Sequence, residues 1–357
     1  MTRSVQDDDF VGVLTKNIQN KLALDGAAPR VFPPMYAPRQ AGAGGANMGT
    51  RPGKWASFFS FCLRRYTEHM ALLRNVGTTL EMIKWEHSIF ALPFALSGAM
   101  LAAAGWPAWH KIFWIVVCMV TARSAAMAFN RWADARLDAA NPRTAARAIP
   151  AGLLSRGFVA GFTVIMSLAF ILAAAQLNHE TLLLSPVVLA VLLLYSYTKR
   201  FTRWSHLVLG LALGIAPAAA WIAIRGSLDP RIIVLTAAVL FWVGGFDVLY
   251  ACQDMAHDRE SGLNSIPEAW GIRAAFRIAR SMHLVMMVLL CFLLKLFALN
   301  TIAWVGVAAV GMLLLYEHLI ISPTDLRRLN AAFFTLNGII SMVFFFFVAA
   351  ALLLPRV

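Results

Sequence analysis

Long apolar runs alternate with polar connectors from residue 88 to the carboxyl end of the chain. The runs fall at 88–105, 111–129, 157–176, 181–198, 206–224, 231–250, 281–299, 301–317 and 333–354. Each is about 17–22 residues long, enough for a helix rising 1.5 Å per residue to cross ~30 Å of hydrocarbon. Lipid offers backbone amides and carbonyls no partners, so every run is expected to be a helix. The pattern therefore predicts an all-α polytopic membrane protein with nine transmembrane helices. Composition agrees: 60% of the 357 residues are hydrophobic and 14% charged.

The net charge of +13 would suit a nucleic-acid binder if the chain were soluble. Its basic residues instead gather in the connectors after the second, fourth, sixth and eighth runs, with Arg136, Arg156, Arg203, Arg259, Arg273 and Arg328 among them. The opposite connectors are almost bare, with Lys111, Arg225, Arg231 and Lys295. This bias places the amino terminus and the charged connectors in the cytoplasm and leaves the carboxyl terminus outside. No nucleic-acid partner is expected, and the membrane lipid itself is the first partner. Cys62, Cys118, Cys252 and Cys291 show no metal-ligand spacing, and no disulfide is predicted.

Residues 1–55 are rich in Pro, Gly and Ala without a sustained period, and are expected to form a disordered cytoplasmic tail. Residues 56–87 mix apolar and basic side chains, as an amphipathic segment on an anionic membrane surface does; a solvated helical lead-in to the first span is the alternative. The remainder, 88–357, is one transmembrane domain. The first apolar run comes too late in the chain to be a cleaved signal peptide.

Carboxylates are scarce here, yet five of the eighteen acidic residues occupy two short stretches. Asn130, Asp134 and Asp138 follow one another at four-residue spacing, which puts them on one helical face. Asp254 and Asp258 repeat the spacing near the end of the sixth run, and Asp247 stands two turns before Asp254. Like charges so arranged repel, and close to a membrane they need a compensating partner. A single pair such as Asp138 with Arg143 reads as a structural salt bridge, but two such clusters on separate spans favour a shared cation. Oxygen ligands without histidine or cysteine at metal spacing suit a hard ion such as Mg²⁺, which commonly shares its shell with phosphate. Arg143 and Arg147 follow the first cluster, and Tyr195 and Lys199 stand four apart at the end of the fourth run. Arginine forks and a lysine charge match phosphate oxygens, so metal and bases together predict a diphosphate site.

The stretches NRxxDxxxDxxxxRTxxR at 130–147, YSYTKRFT at 195–202 and DVLYACQDMAHDRESGLNSIPEAWG at 247–271 closely resemble the three signatures of the UbiA superfamily of intramembrane aromatic prenyltransferases. The resemblance covers residues 80–354 and implies nine helices around a central cavity. It also implies electrophilic aromatic substitution with an isoprenoid diphosphate donor. Carried over, Asn130, Asp134 and Asp138 would form the first Mg²⁺ motif and Asp254 and Asp258 the second, with Asp247 at its start. Arg143, Arg147, Tyr195 and Lys199 would hold and stabilise the departing diphosphate. NPRTAARAIPAG and GLNSIPEAWG are similar to 4-hydroxybenzoate polyprenyltransferases of quinone biosynthesis. Two departures leave the acceptor open: Arg131 stands where many members have an acidic residue, and Asp258 ends the second motif without an acidic run.

Two acceptors follow: 4-hydroxybenzoate, as in ubiquinone biosynthesis, or a dihydroxynaphthoate, as in menaquinone biosynthesis. Location in a bacterial inner membrane is expected. Lys84, Glu86 and His87 enter the membrane with the first run and could orient the acceptor, although Lys84 also suits an interfacial anchor. Trp221, Phe241 and Phe246 are aromatic candidates for facing an allylic cation, each equally suited to packing. The competing class is an ion-coupled transporter, which would break its spans at midplane; only LGIAP at 213–217 has the look of a break.

Overall fold

In the computed structural model the described residues are 76–83, 90–329 and 332–354, all within one compact unit, Leu63–Val357. The predicted tail, residues 56–75 of the surface segment, and the Lys84, Glu86 and His87 group lie outside them; residues 76–83 are helical. Eight helices among the described residues are long and apolar enough to cross a membrane. A shorter helix, α1 (Leu92–Ala103), occupies the place of the first predicted run and ends at Ala104 in a left-handed conformation.

The others follow in order: α2 (Trp109–Ala133), the short α3 (Ala135–Ala140), α4 (Arg156–Ala175), α5 (His179–Thr198), α6 (Ser205–Arg225), α7 (Ile232–Ala251), the short α8 (Met255–Glu260), α9 (Ile266–Leu296), α10 (Thr301–Ile320) and α11 (Asn337–Leu353). A π-helical turn, Ala332–Leu336, leads into α11. Side-chain oxygens start several of them. Ser155, Asn178, Ser265 and Asn300 each accept a bond from an otherwise unpaired amide of the first turn.

The seventh predicted run, 281–299, is the second half of a longer helix. α9 begins at Ile266, where Ser265 caps the Glu268 amide and Pro267 stands in the first turn. Those are helix-start signals that hydropathy does not register. The added part carries Arg273 and Arg277, and Gly271 (φ 78°, ψ 164°) bends it away from the span.

At the centre, α6 packs along α1 and α7. Small residues allow the approach: a Cβ on Gly98 would stand 2.4 Å from the Pro217 carbonyl oxygen, and one on Gly210 would stand 2.3 Å from that of Leu240. α6 runs unbroken through LGIAP with Pro217 inside it, so the one suspected break is absent. A buried cluster that includes Phe94, Trp242, Met286, Val310 and Phe344 joins α1, α7, α9, α10 and α11. A second, with Ile115, Cys118, Phe170 and Ala220, joins α2, α4 and α6.

Outward faces stay apolar. Val164, Ile165, Leu168 and Leu172 of α4 are exposed, as are Leu284, Val288 and Phe292 of α9. Stripes of this kind are covered by lipid in an integral membrane protein.

Candidate active site

The two acidic motifs are built alike. α2 ends at Asp134 (φ −90°, ψ 3°), and the six-residue α3 turns away from it. After α7, Asp254 (φ −101°, ψ 1°) opens the six-residue α8 in the same manner. In both, the second aspartate donates its amide to the carbonyl of the first, at 2.8 Å for Asp138 to Asp134 and 2.8 Å for Asp258 to Asp254. The corner keeps the four-residue pairing while swinging each motif across the end of its helix.

Each motif is held by basic residues from neighbouring connectors. Lys199 Nζ lies 2.9 Å from Asp134 Oδ2, and Arg200 reaches Asp134 Oδ1 at 3.2 Å while also donating to the Ala133 carbonyl that ends α2. Asn130 donates to Asp134 at 3.3 Å. Arg147 pairs with Asp138 Oδ1 at 2.6 Å, whereas Asp138 Oδ2 is buried with no hydrogen-bond partner.

Arg143 crosses from the first motif's connector to the second motif. Its Nε donates to Asp254 Oδ1 at 2.8 Å, its Nη2 pairs with Asp254 Oδ2, and its Nη1 donates to the Tyr250 hydroxyl at 3.3 Å. Asn141 supports the crossing by donating to Asp254 Oδ1 at 3.2 Å and accepting the Arg143 amide at 3.0 Å. Burial works against the Arg143 charge, but the Asp254 carboxylate outweighs it and holds the guanidinium above its ordinary value. Half-buried Asp258 has its carboxyl raised, chiefly by loss of water and only partly offset by the Ser265 hydroxyl.

These groups open into one cavity of about 880 Å³, at the upper end of the ~300–1,000 Å³ usual for small-molecule sites. Asn130, Asp134, Asp138, Asp247, Asp254 and Asp258 all line it, together with Arg143, Arg147, Tyr195 and Lys199. All ten predicted site residues thus share one space. Away from the charged end the walls are apolar, with Ile115, Phe170, Leu192, Leu213 and Ile222 among them. Thr181 and Lys199, near opposite ends of α5, both line it, so the cavity runs along α5 for about 27 Å at 1.5 Å per residue.

Of the three aromatic candidates only Phe246 lines the cavity; buried Trp221 stacks edge-on against Phe297, and Phe241 packs within the helical core. Several lining residues were not singled out from the sequence. Arg123 sits inside α2 two turns before Asn130, on the same face and at membrane depth, which was a readable signal for a functional cation. Asn141 lies within the NPRT stretch of the first motif. Tyr250 lies within the DVLYACQD stretch, whereas His206 had no local signal, because its partners lie far along the chain.

Comparison with known proteins agrees with this architecture. Residues 91–352 match the UbiA prenyltransferase family. The chain is 31% identical over 272 residues to the 4-hydroxybenzoate octaprenyltransferase of Idiomarina loihiensis, covering 76% of this chain and 92% of that protein. It is also 31% identical to the 4-hydroxybenzoate octaprenyltransferase of a Marinomonas species, over 69% of this chain and 79% of the relative. Among solved structures, the apo UbiA homologue from Aeropyrum pernix K1 superposes with a TM-score of 0.65 at 30% identity, covering 74% of this chain and 96% of that one. A UbiA homologue from Archaeoglobus fulgidus bound to DMAPP and Mg²⁺ shares the fold, with a TM-score of 0.59 at 18% identity over 77% of this chain and 99% of that one. An all-helical membrane bundle, two matched acidic corners facing one cavity, and a family match over most of its length place this chain in the UbiA prenyltransferase family.

Proposed function

We propose that the cavity transfers a polyprenyl group from its diphosphate to a hydroxylated aromatic acid, with 4-hydroxybenzoate as the acceptor and Mg²⁺ as the cofactor. The observation that carries this reading is the junction of a charged end, holding five aspartates and several cations, with a long apolar chamber. One end suits a diphosphate and the other a hydrocarbon tail.

The donor set fits Mg²⁺. The ligands offered are carboxylate and amide oxygens, and Asp138 Oδ2 is a buried acceptor still lacking a partner. Among the described residues, no three acidic, histidine or cysteine side chains converge as a metal cluster on their own. Mg²⁺ keeps several waters and shares its shell with phosphate oxygens, so the two motifs need not close a cage around it by themselves. Asn130, Asp134 and Asp138 would hold it on one side, and Asp254 and Asp258 on the other, with Asp247 at the start of that second motif. Mg²⁺, when bound, supplies charge neutralisation for the diphosphate leaving group. The A. fulgidus homologue, bound to DMAPP and Mg²⁺, is in keeping with this.

The chain's own residues do the rest. Arg143, Arg147 and Lys199 present cations fixed by hydrogen bonds before the donor arrives, and Tyr195 faces the same space. Such preorganised charge stabilises negative charge as the allylic C–O bond breaks. The apolar walls exclude the water that would trap the allylic cation, and Phe246 supplies an aromatic ring to the lining. Arg123, a cation within α2 facing the cavity, matches the carboxylate of an aromatic acid. Selection of 4-hydroxybenzoate over a dihydroxynaphthoate rests on the names of the relatives.

The amino terminus and charged connectors are assigned to the cytoplasm of a bacterial inner membrane, on the charge bias of the connectors. The test is a product screen. Purified protein with geranyl diphosphate is offered a panel of hydroxybenzoates and dihydroxynaphthoates, and products are identified by mass spectrometry. A prenylated 4-hydroxybenzoate as the main product is expected; a naphthoate product alone would move the protein to the other acceptor class.

A further inference from the structure

His206 belongs to none of the three motifs, yet it is buried at 3% exposure and joins three elements at the cavity wall. It stands in the first turn of α6, and its Nδ1 lies 2.7 Å from Asp247 Oδ2 on α7. On the other side its Nε2 accepts the amide of Ile266, the first residue of α9, at 3.3 Å. A backbone amide can only donate, so Nε2 must carry the lone pair. A neutral ring then has its single proton on Nδ1, where it donates to the Asp247 carboxylate. The Ile266 amide is one of the unpaired donors at the α9 start, and the preceding Asn264 amide donates to the Lys199 carbonyl at 2.7 Å. The connector after the second acidic motif is thus fastened to the segment carrying Lys199 and His206.

We propose that His206 is a positioning residue for Asp247. The contact occupies Oδ2 of a carboxylate that lines the cavity, and leaves Oδ1 available to a ligand there. Asp247 is 18% exposed at its side chain, so without His206 its carboxylate would be free to rotate toward other partners. Fixing a ligand from behind, by a neutral imidazole whose tautomer is itself fixed, sharpens the ligand's aim at a cation and its diphosphate. The proposal rests on the reading of the cavity as a metal–diphosphate site.

The variants divide the roles of the ring. In His206→Gln the side-chain amide can donate to Asp247 while its oxygen accepts the Ile266 amide; in His206→Leu it can do neither. Binding of Mn²⁺ to the purified full chain, with a non-hydrolysable geranyl diphosphate analogue present, is followed by electron paramagnetic resonance, which needs no turnover. His206→Leu is expected to weaken Mn²⁺ binding by about 10-fold or more, and His206→Gln to stay within about threefold of the unmodified protein. In the Asp247→Asn background, His206→Leu is expected to cost almost nothing further. If His206→Leu lowers the thermal midpoint but binds Mn²⁺ as well as the unmodified chain does, the histidine only caps α9 and the proposal fails. Full additivity of the two substitutions overturns it as well. If the unmodified protein binds no Mn²⁺ with the analogue, the metal–diphosphate reading itself falls and takes this inference with it.

Discussion

Replacing Asp134 with Asn changes one oxygen at a side chain 2% exposed, where three donors converge. Lys199 at 2.9 Å, Arg200 at 3.2 Å and Asn130 at 3.3 Å all point at its carboxylate. An asparagine there keeps the volume but offers one acceptor in place of two and turns an amide N–H toward a cation. A hydrogen bond to a charged group is worth about 1.5–3 kcal/mol net, which would put two lost bonds near 3–6 kcal/mol. The side chains of Lys199 and Arg200 are 35% and 38% exposed, so both can turn to water, and Arg200 keeps its bond to the Ala133 carbonyl. After that discount the destabilisation is about 2 kcal/mol. The variant should therefore insert and fold with a modestly lower thermal midpoint.

Turnover should fall far more. The substitution removes a charge that the proposed site uses to recruit its cation, and a loss on the order of 10²–10³-fold is expected by analogy with removing one preorganised group where charge develops. Thermal unfolding followed by tryptophan fluorescence, and initial rates with geranyl diphosphate and 4-hydroxybenzoate over a Mg²⁺ series, separate the two effects. A folded variant with near-normal rates at limiting Mg²⁺ would refute the role given to Asp134.

Lys199→Met and Arg147→Met should each lower kcat by about 10²-fold with little change in donor KM, because their charges act most on the departing diphosphate; a raised KM at unchanged kcat would show that they only anchor the donor. Arg123→Leu should raise the KM for an acidic acceptor by about 10- to 100-fold, the loss of one bond between charged groups, and an unchanged KM would remove Arg123 from the acceptor site. Gly210→Ala places a Cβ against the Leu240 carbonyl oxygen, 2.3 Å away. Forcing α6 from α7 should cost about 1–3 kcal/mol in thermal unfolding in detergent, and an unchanged midpoint would mean that the helix pair has slack.

Much of this fold was readable because lipid leaves the backbone so few choices. Apolar length placed the spans, and four-residue spacing placed Asp134 with Asp138 and Asp254 with Asp258 on common faces. Spacing along one helix does not say which helix lies opposite. That is why the Arg143 bridge to Asp254, 111 positions away, and the His206 contact with Asp247, 41 positions away, came only from the structure. Hydropathy likewise missed the start of α9, since Ser265, Pro267 and Glu268 signal a helix through capping rather than apolarity. Among the aromatics the pattern could not separate Phe246, which faces the cavity, from Trp221, which packs against Phe297, because both stand in apolar runs. Arg123 was within reach: an arginine inside a span, seven residues before Asn130, announces its face.

The central claim is that carboxylates and cations at one end of the cavity make a metal-dependent leaving-group site for a prenyl diphosphate. Its most direct measurement is a carbon and phosphate balance in one reaction. The purified protein, geranyl diphosphate and 4-hydroxybenzoate are incubated with Mg²⁺, with EDTA, and with EDTA followed by excess Mg²⁺, and prenylated acid and released diphosphate are both quantified. The expected result is one diphosphate per prenylated product with Mg²⁺, neither with EDTA, and recovery of both on adding the ion back. Prenyl transfer that continues undiminished in EDTA, or diphosphate release without any prenylated aromatic product, would contradict it.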